Sequence, residues 1–226
     1  MFKRNPDGIL VIDHIPTNDE LFEKVAYTEE NFDDMIEKLG RNIAEYLLAQ
    51  GKRELTEIVV LNGAQIFYDS LSLSIKDWFH ILSDGSRLKT RRDSIRLSSY
   101  GDSTNQKHIE IVKDLDIDAT DQTVIVYEDI ADTCKTLNFF MRLLRKRGAK
   151  EILLTVMIKR ITDFIIENNI IWTGFEYSGQ EWLCGKGLDY LGMHRELNSI
   201  MAIKKQFCQD EVTKQIAQLL KSKSIA

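Results

Sequence analysis

The chain is short of the residues that interrupt structure or build special scaffolds. Two prolines and twelve glycines in 226 residues leave no room for a long disordered linker. The three cysteines, Cys134, Cys184 and Cys208, are scattered, odd in number and without metal-ligand spacing. That does not suit a disulfide framework, and a reduced, cytoplasmic setting is expected. Four histidines, His14, His80, His108 and His194, show no motif spacing, which argues against a metal cluster. No apolar run approaches the roughly 18 residues that a membrane helix needs, so no membrane partner is expected. Residues 1–7 carry no apolar stretch of signal type. A net charge of −5 argues against a general nucleic-acid binder, which would be basic. The basic runs at 89–92 and 142–147 read as solvated faces.

What is present is ordinary for a globular protein: 43% apolar and 29% charged residues in a chain long enough for one full core. A single domain over residues 1–226 is expected. One stretch organises it. Val124, Ile125, Val126 and Tyr127 read as a buried strand that should end at two adjacent carboxylates, Glu128 and Asp129. A short turn, Asp132 to Thr136, follows. Leu137, Phe140 and Leu144 then recur at helical spacing until Gly148. In open α/β sheets ligands lie at the carboxyl ends of strands, and the N–H groups of a helix N-terminus bind phosphate. Carboxylates beside such a turn suit sugar hydroxyls or a metal. One loop of this kind can hold a phosphorylated sugar from both sides.

The rest of the chain alternates strands with helices. Ile9 to Ile12 reads as a short strand within a mixed segment 1–26. Thr28 opens a helix whose face is Phe32, Ile36, Leu39, Ile43 and Leu47, stopped by Gly51. A strand over 57–61 turns through Asn62, Gly63 and Ala64 into a helix with Phe67 and Leu71. Residues 76–93 give no clear element, although Trp78, Phe79, Ile81 and Leu82 look buried. A strand over 93–100 leads into a polar stretch, 98–109, that reads as a mobile lid-like loop. Further strands are expected at 151–158 and 172–176, with a helix or turn through Ile165 between them. A strand or turn at 201–204 and an amphipathic tail helix at 209–223 complete the chain. The alternation predicts an α/β fold with a parallel sheet.

The central motif, Glu128-Asp129-Ile130-Ala131-Asp132-Thr133-Cys134-Lys135-Thr136, resembles the phosphoribosyl pyrophosphate signature of type I phosphoribosyltransferases. Only Cys134, where that family has glycine, departs from it. Other pieces follow in the order of the hypoxanthine-guanine phosphoribosyltransferases, over roughly residues 9–203. Leu61-Asn62-Gly63 falls at the pyrophosphate loop, and Ser99-Tyr100 at the lid. Lys159 matches the purine-reading lysine, Trp182-Leu183 the purine clamp, and Asp189 with Arg195 the metal and pyrophosphate residues.

The resemblance implies a Rossmann-like parallel sheet core with a small hood formed by the N-terminal segment and about 160–200. It implies transfer of 5-phosphoribose from phosphoribosyl pyrophosphate to hypoxanthine or guanine, giving IMP or GMP and pyrophosphate, in purine salvage. Mg²⁺ is the implied cofactor, one ion held by Asp189 largely through water and a second at Glu128 and Asp129. Glu128 and Asp129 would accept from the ribose hydroxyls. Thr133, Lys135 and Thr136, with the backbone from Ile130 to Cys134, would hold the 5′-phosphate. Asp132 would take the purine N7 proton. Lys159, Glu181, Trp182, Leu183 and Asp189 would surround the base, and Leu61, Asn62, Gly63 and Arg195 the pyrophosphate. A cis Leu61–Asn62 peptide and a homodimer or homotetramer are also implied. Asn62 and Ser98 stand where the family often has basic residues. Cys134, at a helix N-terminus, suggests an acidified, oxidation-prone thiol. The rival reading is a non-catalytic nucleotide-binding sensor of the same fold. Retention of Asp132, Lys159, Asp189 and Arg195 favours the enzyme.

Overall fold

The computed structural model describes residues 2–4, 10–12, 16–100, 108–168 and 170–223. The elements begin with β1 (Phe2–Arg4), β2 (Leu10–Ile12), α1 (Asn18–Leu21), β3 (Phe22–Tyr27), α2 (Glu29–Ala49) and β4 (Glu54–Leu61). Next come α3 (Gln65–Leu82), β5 (Lys89–Tyr100), β6 (His108–Lys113), β7 (Thr123–Ala131), α4 (Lys135–Lys146) and β8 (Glu151–Arg160). The chain closes with β9 (Ile171–Tyr177), β10 (Leu183–Cys184), β11 (Ile200–Ile203), a 3-10 turn (Lys205–Cys208) and α5 (Asp210–Lys223). They form two compact units, residues 30–179 and residues 1–29 with 180–226.

The larger unit is a six-stranded sheet in the order β6-β5-β4-β7-β8-β9. Every pairing is parallel except β5 with β6. Alternate side chains explain why both faces are covered. Ile58, Val60, Val124, Val126, Leu154 and Val156 pack with Leu137, Phe140, Met141 and Leu144 of α4. On the opposite face the Tyr127 ring meets Phe67 and Tyr68 of α3 edge-on, at 6.4 and 4.9 Å between centroids. Strands buried on both faces read as continuous apolar runs, which is why β4, β7 and β8 are plain in the sequence.

The order of connections fixes where a ligand belongs. β4 continues through α3 to β5 on one side, and β7 continues through α4 to β8 on the other. α3 and α4 cover opposite faces. The reversal falls between neighbours β4 and β7, and in such sheets the crevice at that point, outside the strands' carboxyl ends, takes the ligand.

Several elements differ from the sequence reading. α3 runs through 76–82, and only part of that stretch is buried: Phe79 is fully buried, but Ile81 is 63% exposed. β4 starts at Glu54 and β5 at Lys89, earlier than expected, because the two pair residue for residue from Glu54↔Lys89 onward. Within the expected polar loop, β5 extends to Tyr100 and β6 begins at His108; residues 101–107 lie outside the described residues. β6 is an edge strand whose Ile109 and Ile111 are half-buried while Glu110 and Val112 are exposed, so its signal is weak. No helix forms over 161–168. Polar brackets hold that stretch instead: Asn138 donates to Ile165 O at 2.8 Å and accepts from Glu167 N–H at 2.8 Å.

The second unit contains an antiparallel sheet, β10-β11-β3. Its core joins Leu21, Cys184, Tyr190, Ile203 and Phe207 to Val212 and Ile216 of α5. β3 falls within the mixed N-terminal segment, and its residues, exposed or half-buried, give it little apolar signal. The unit begins at Gln180 rather than near 160, because β9 pairs with β8 and draws residues 171–177 into the larger sheet.

Candidate active site

Two loops emerge at the β4–β7 switch. After β4, residues 62–64 turn directly into α3, and the Leu61–Asn62 peptide is cis, as the resemblance implies. Asn62 is exposed and Gly63 is buried. A Cβ on Gly63 would lie 1.4 Å from Oδ2 of Asp129. The backbone of one loop therefore touches the second carboxylate of the other. Glycine is needed here for space, because its φ is not in the left-handed region.

The second loop differs from its expected shape. β7 does not stop at the two acids but runs on to Ala131, with Glu128, Asp129 and Ile130 half-buried. Desolvation, with the adjacent Asp129 carboxylate, pushes the Glu128 carboxyl well above the usual range. Asp129 Oδ1 accepts from the N–H of Ile130 at 2.8 Å. Asp132, Thr133 and Lys135 are exposed, and Thr136 is half-buried.

Cys134 is the N-cap of α4 at φ 56°, ψ 0°, and no side chain caps the helix. The first-turn N–H groups thus face the loop without a side-chain acceptor at the cap, which suits an anion. Cys134 occupies the left-handed region that glycine adopts without penalty. It is only 6% exposed, and burial raises its thiol pKa despite the opposing field of Lys159. This overturns the expectation of an acidified thiol: desolvation, aided by the Asp132 and Glu128 carboxylates, outweighs the Lys159 charge.

Lys159 lies beside this loop. Parallel pairing sets Ala131 against Lys159 at the carboxyl ends of β7 and β8. The next residue, Arg160, ends β8. Its Nε stands 3.7 Å from Asp132 Oδ1, its Nη1 donates to Gly179 O at 2.6 Å, and its guanidinium lies 5.6 Å from the Tyr177 ring centroid. A basic residue at a strand's carboxyl end beside Lys159 was the available signal. For the lid, the backbone of Ser99 and Tyr100 pairs with Ile109 and His108. Their side chains lie outside the described residues.

The remaining candidates form their own cluster in the second unit. Trp182 is 53% exposed, and its indole N–H donates to Asp189 O at 2.6 Å, which fixes the ring. Ile203 N–H donates to Trp182 O at 2.8 Å. Leu183 and Ala202 are then a non-hydrogen-bonded pair, and the N–H and C=O of Leu183 face away from β11 at the sheet edge. Glu181 pairs with Lys24 at 3.0 Å. Asp189 Oδ1 pairs with Arg195 at 2.6 Å, and its Oδ2 accepts from Gly192 N–H at 2.7 Å. Arg195 also donates to Gly187 O at 2.5 Å.

The donor set suits Mg²⁺ by its chemistry. Glu128 and Asp129 are adjacent carboxylates whose mutual repulsion a divalent cation relieves. Among the described residues no three His, Cys, Asp or Glu side chains form a cage. An ion here would draw most of its ligands from water and substrate, the usual habit of Mg²⁺.

Comparison with known proteins agrees with this geometry. Residues 31–189 match the phosphoribosyl transferase domain family. The hypoxanthine-guanine phosphoribosyltransferase of Bacillus subtilis (strain 168) is 30% identical over 184 residues, covering 80% of this chain and 93% of that one. The bifunctional protein TilS/HprT of Listeria monocytogenes is 28% identical over 186 residues, 81% of this chain, which spans 26% of that protein's length. A Trypanosoma cruzi hypoxanthine phosphoribosyltransferase complexed with IMP superposes with a TM-score of 0.72 at 25% identity, covering 85% of this chain and 96% of that one. With its six-stranded sheet and its two loops at the β4–β7 switch, the chain belongs to the phosphoribosyl transferase domain family and has the type I phosphoribosyltransferase fold.

Proposed function

We propose that the chain transfers 5-phosphoribose from phosphoribosyl pyrophosphate to a 6-oxopurine, hypoxanthine or guanine, giving IMP or GMP and pyrophosphate in purine salvage. The observation that carries this reading is the contact of Gly63 with Asp129, which joins the pyrophosphate-loop and ribose-loop motifs at the switch point. The N–H groups at the start of α4, with Thr133, Lys135 and Thr136, hold the 5′-phosphate. Glu128 and Asp129 accept from the ribose hydroxyls. Asn62 and Gly63 donate backbone N–H groups to the pyrophosphate, and Arg195 adds positive charge. Asp189 would hold one Mg²⁺ largely through water, and Glu128 and Asp129 a second; Mg²⁺ would supply charge neutralisation for the leaving pyrophosphate.

In the reaction the purine N9–C1′ bond forms as the C1′–O bond to pyrophosphate breaks. Asp132 takes the N7 proton, and its position is set by Arg160. Lys159 donates to the oxygen at purine C6. Adenine carries an amino donor there and is disfavoured, since the ammonium would lose its partner. Trp182 stacks on the base, and the outward edge of Leu183 bonds it, with Glu181 and Asp189 completing the lining. Tyr100 and Ser99 belong to the lid. Three free cysteines suit a reducing, cytoplasmic setting. Two or four copies of the chain form the proposed assembly, which light scattering tests.

Turnover of hypoxanthine, guanine, xanthine and adenine with phosphoribosyl pyrophosphate and Mg²⁺ tests the reading. Conversion of hypoxanthine or guanine but not adenine is the expected result. Nucleotide binding without turnover of any base would move the assignment to the sensor.

A further inference from the structure

Glu57 sits in the middle of β4 with 2% of its surface exposed. Its Oε1 accepts from the Ser72 hydroxyl at 2.7 Å and the Tyr127 hydroxyl at 3.0 Å. Its Oε2 accepts from the Lys76 ammonium at 3.1 Å and the Tyr68 hydroxyl at 3.4 Å. Three of these donors stand on α3 and one on β7. Stability alone does not account for a carboxylate here. Removing an ion from water is expensive, and apolar replacements of buried ion pairs are often as stable or more so.

The cluster's place in the chain suggests its use. α3 is the helix that opens directly from the 61–64 loop, and Tyr127 immediately precedes Glu128. The Arg92 guanidinium lies 4.8 Å from the Tyr68 ring centroid and donates to Gln65 at 2.6 Å, at the first residue of α3. A single carboxylate thus ties the helix behind one loop to the strand that delivers the other. The loops meet where Gly63 abuts Asp129, a contact with no slack.

We infer that Glu57, acting with Tyr127, is a positioning residue that sets the spacing of the two substrate loops and so the affinity for phosphoribosyl pyrophosphate. This rests on the function proposed above. Glu57 touches no substrate. It acts through Tyr127 and α3.

Tyr127→Phe, Glu57→Gln and the double variant test it, with KM for each substrate, kcat and the thermal midpoint as readouts. Tyr127→Phe removes one hydroxyl and keeps the ring. It should raise KM for phosphoribosyl pyrophosphate about three- to tenfold, the worth of one hydrogen bond. KM for hypoxanthine should stay within about twofold, and the double variant should be little worse than Glu57→Gln, because the residues act as one unit. Lower thermal midpoints with wild-type KM for phosphoribosyl pyrophosphate would overturn the inference, as would equal rises in both KM values. If the wild type turns over no base, the function assigned above fails instead. Calorimetric affinity for phosphoribosyl pyrophosphate with Mg²⁺ in the same variants then decides, and equal affinities would overturn the positioning role.

Discussion

After β4 the chain turns through Asn62 and Gly63 into α3; after β7 it turns through Asp132, Thr133 and Cys134 into α4. Both are strand–turn–helix loops at the same end of one sheet, yet they use small residues differently. Gly63 is required by space and has no unusual φ. Cys134 has the left-handed φ that favours glycine, and its side chain finds room in the apolar core around α4. The first loop has no cationic side chain and offers backbone N–H groups. The second offers side chains, Asp132 among them. Glycine at a ligand loop can thus serve close approach or backbone conformation, and only the structure separates the two.

The largest predicted effect strikes the side-chain loop. Asp132→Asn removes the proposed proton acceptor and keeps the shape, so kcat should fall about 10²- to 10⁴-fold with substrate KM values little changed. Steady-state kinetics with hypoxanthine would measure it, and a loss confined to KM would contradict the role. Gly63→Ala strikes the backbone loop. Either Asp129 or the turn must shift by more than an ångström, and kcat/KM for phosphoribosyl pyrophosphate should fall about 10²-fold. Near-normal kinetics would show that the Asp129 side chain swings away freely, and the comparison would lose its steric half.

Asp93 lies on β5, outside both loops, and should affect stability more than catalysis. Its carboxylate accepts from the N–H groups of Ser94, Asp116 and Ile117 at 2.7, 2.7 and 2.9 Å, and from Lys113 at 3.4 Å. Desolvation raises its pKa, but these donors together hold it below the usual carboxylate range. A carboxyl lowered in this way contributes stability above its unfolded pKa, about 3.9, and loses it as pH falls through the folded value. Asp93→Ala should cost roughly 2–3 kcal/mol at neutral pH, measured by urea unfolding. The difference from wild type should shrink on acidification below about pH 4.

The smallest effect sharpens the comparison most. Cys134→Gly relieves roughly 1–2 kcal/mol of left-handed strain. It also gives up the packing of a buried side chain and restores about 0.5–1 kcal/mol of unfolded-state entropy. These terms nearly cancel, so stability should change by less than about 1 kcal/mol. Because burial raises the thiol pKa, Cys134 should react with iodoacetamide near neutral pH far more slowly in the native protein than in the unfolded chain. Rapid native labelling traced to Cys134 by mass spectrometry would restore the redox reading.

Much of this was legible in the sequence, and the parts that were not have physical causes. β7 and β8 announce themselves because both faces of their sheet are covered and their apolar runs are continuous, and α4 because its buried residues recur at helical spacing. The loop motifs were legible because phosphate, sugar and proton transfer demand particular residue types in sequence. β3 and β6 were hidden because edge strands carry little apolar signal, and α3 lost its last turns to Asp77 and His80 on its exposed face. Arg160 beside Asp132, and Glu57 beneath Tyr127, depend on pairings across strands that no local pattern encodes. The conformation of Cys134 was equally hidden, since the sequence permits either hand of turn.

A crystal structure with IMP bound would test the central claim most directly. The account predicts the 5′-phosphate on the N–H groups of residues 133–137 and the ribose hydroxyls on Glu128 and Asp129. A nucleotide phosphate seated away from the α4 N-terminus, with the 128–136 loop empty, would contradict it.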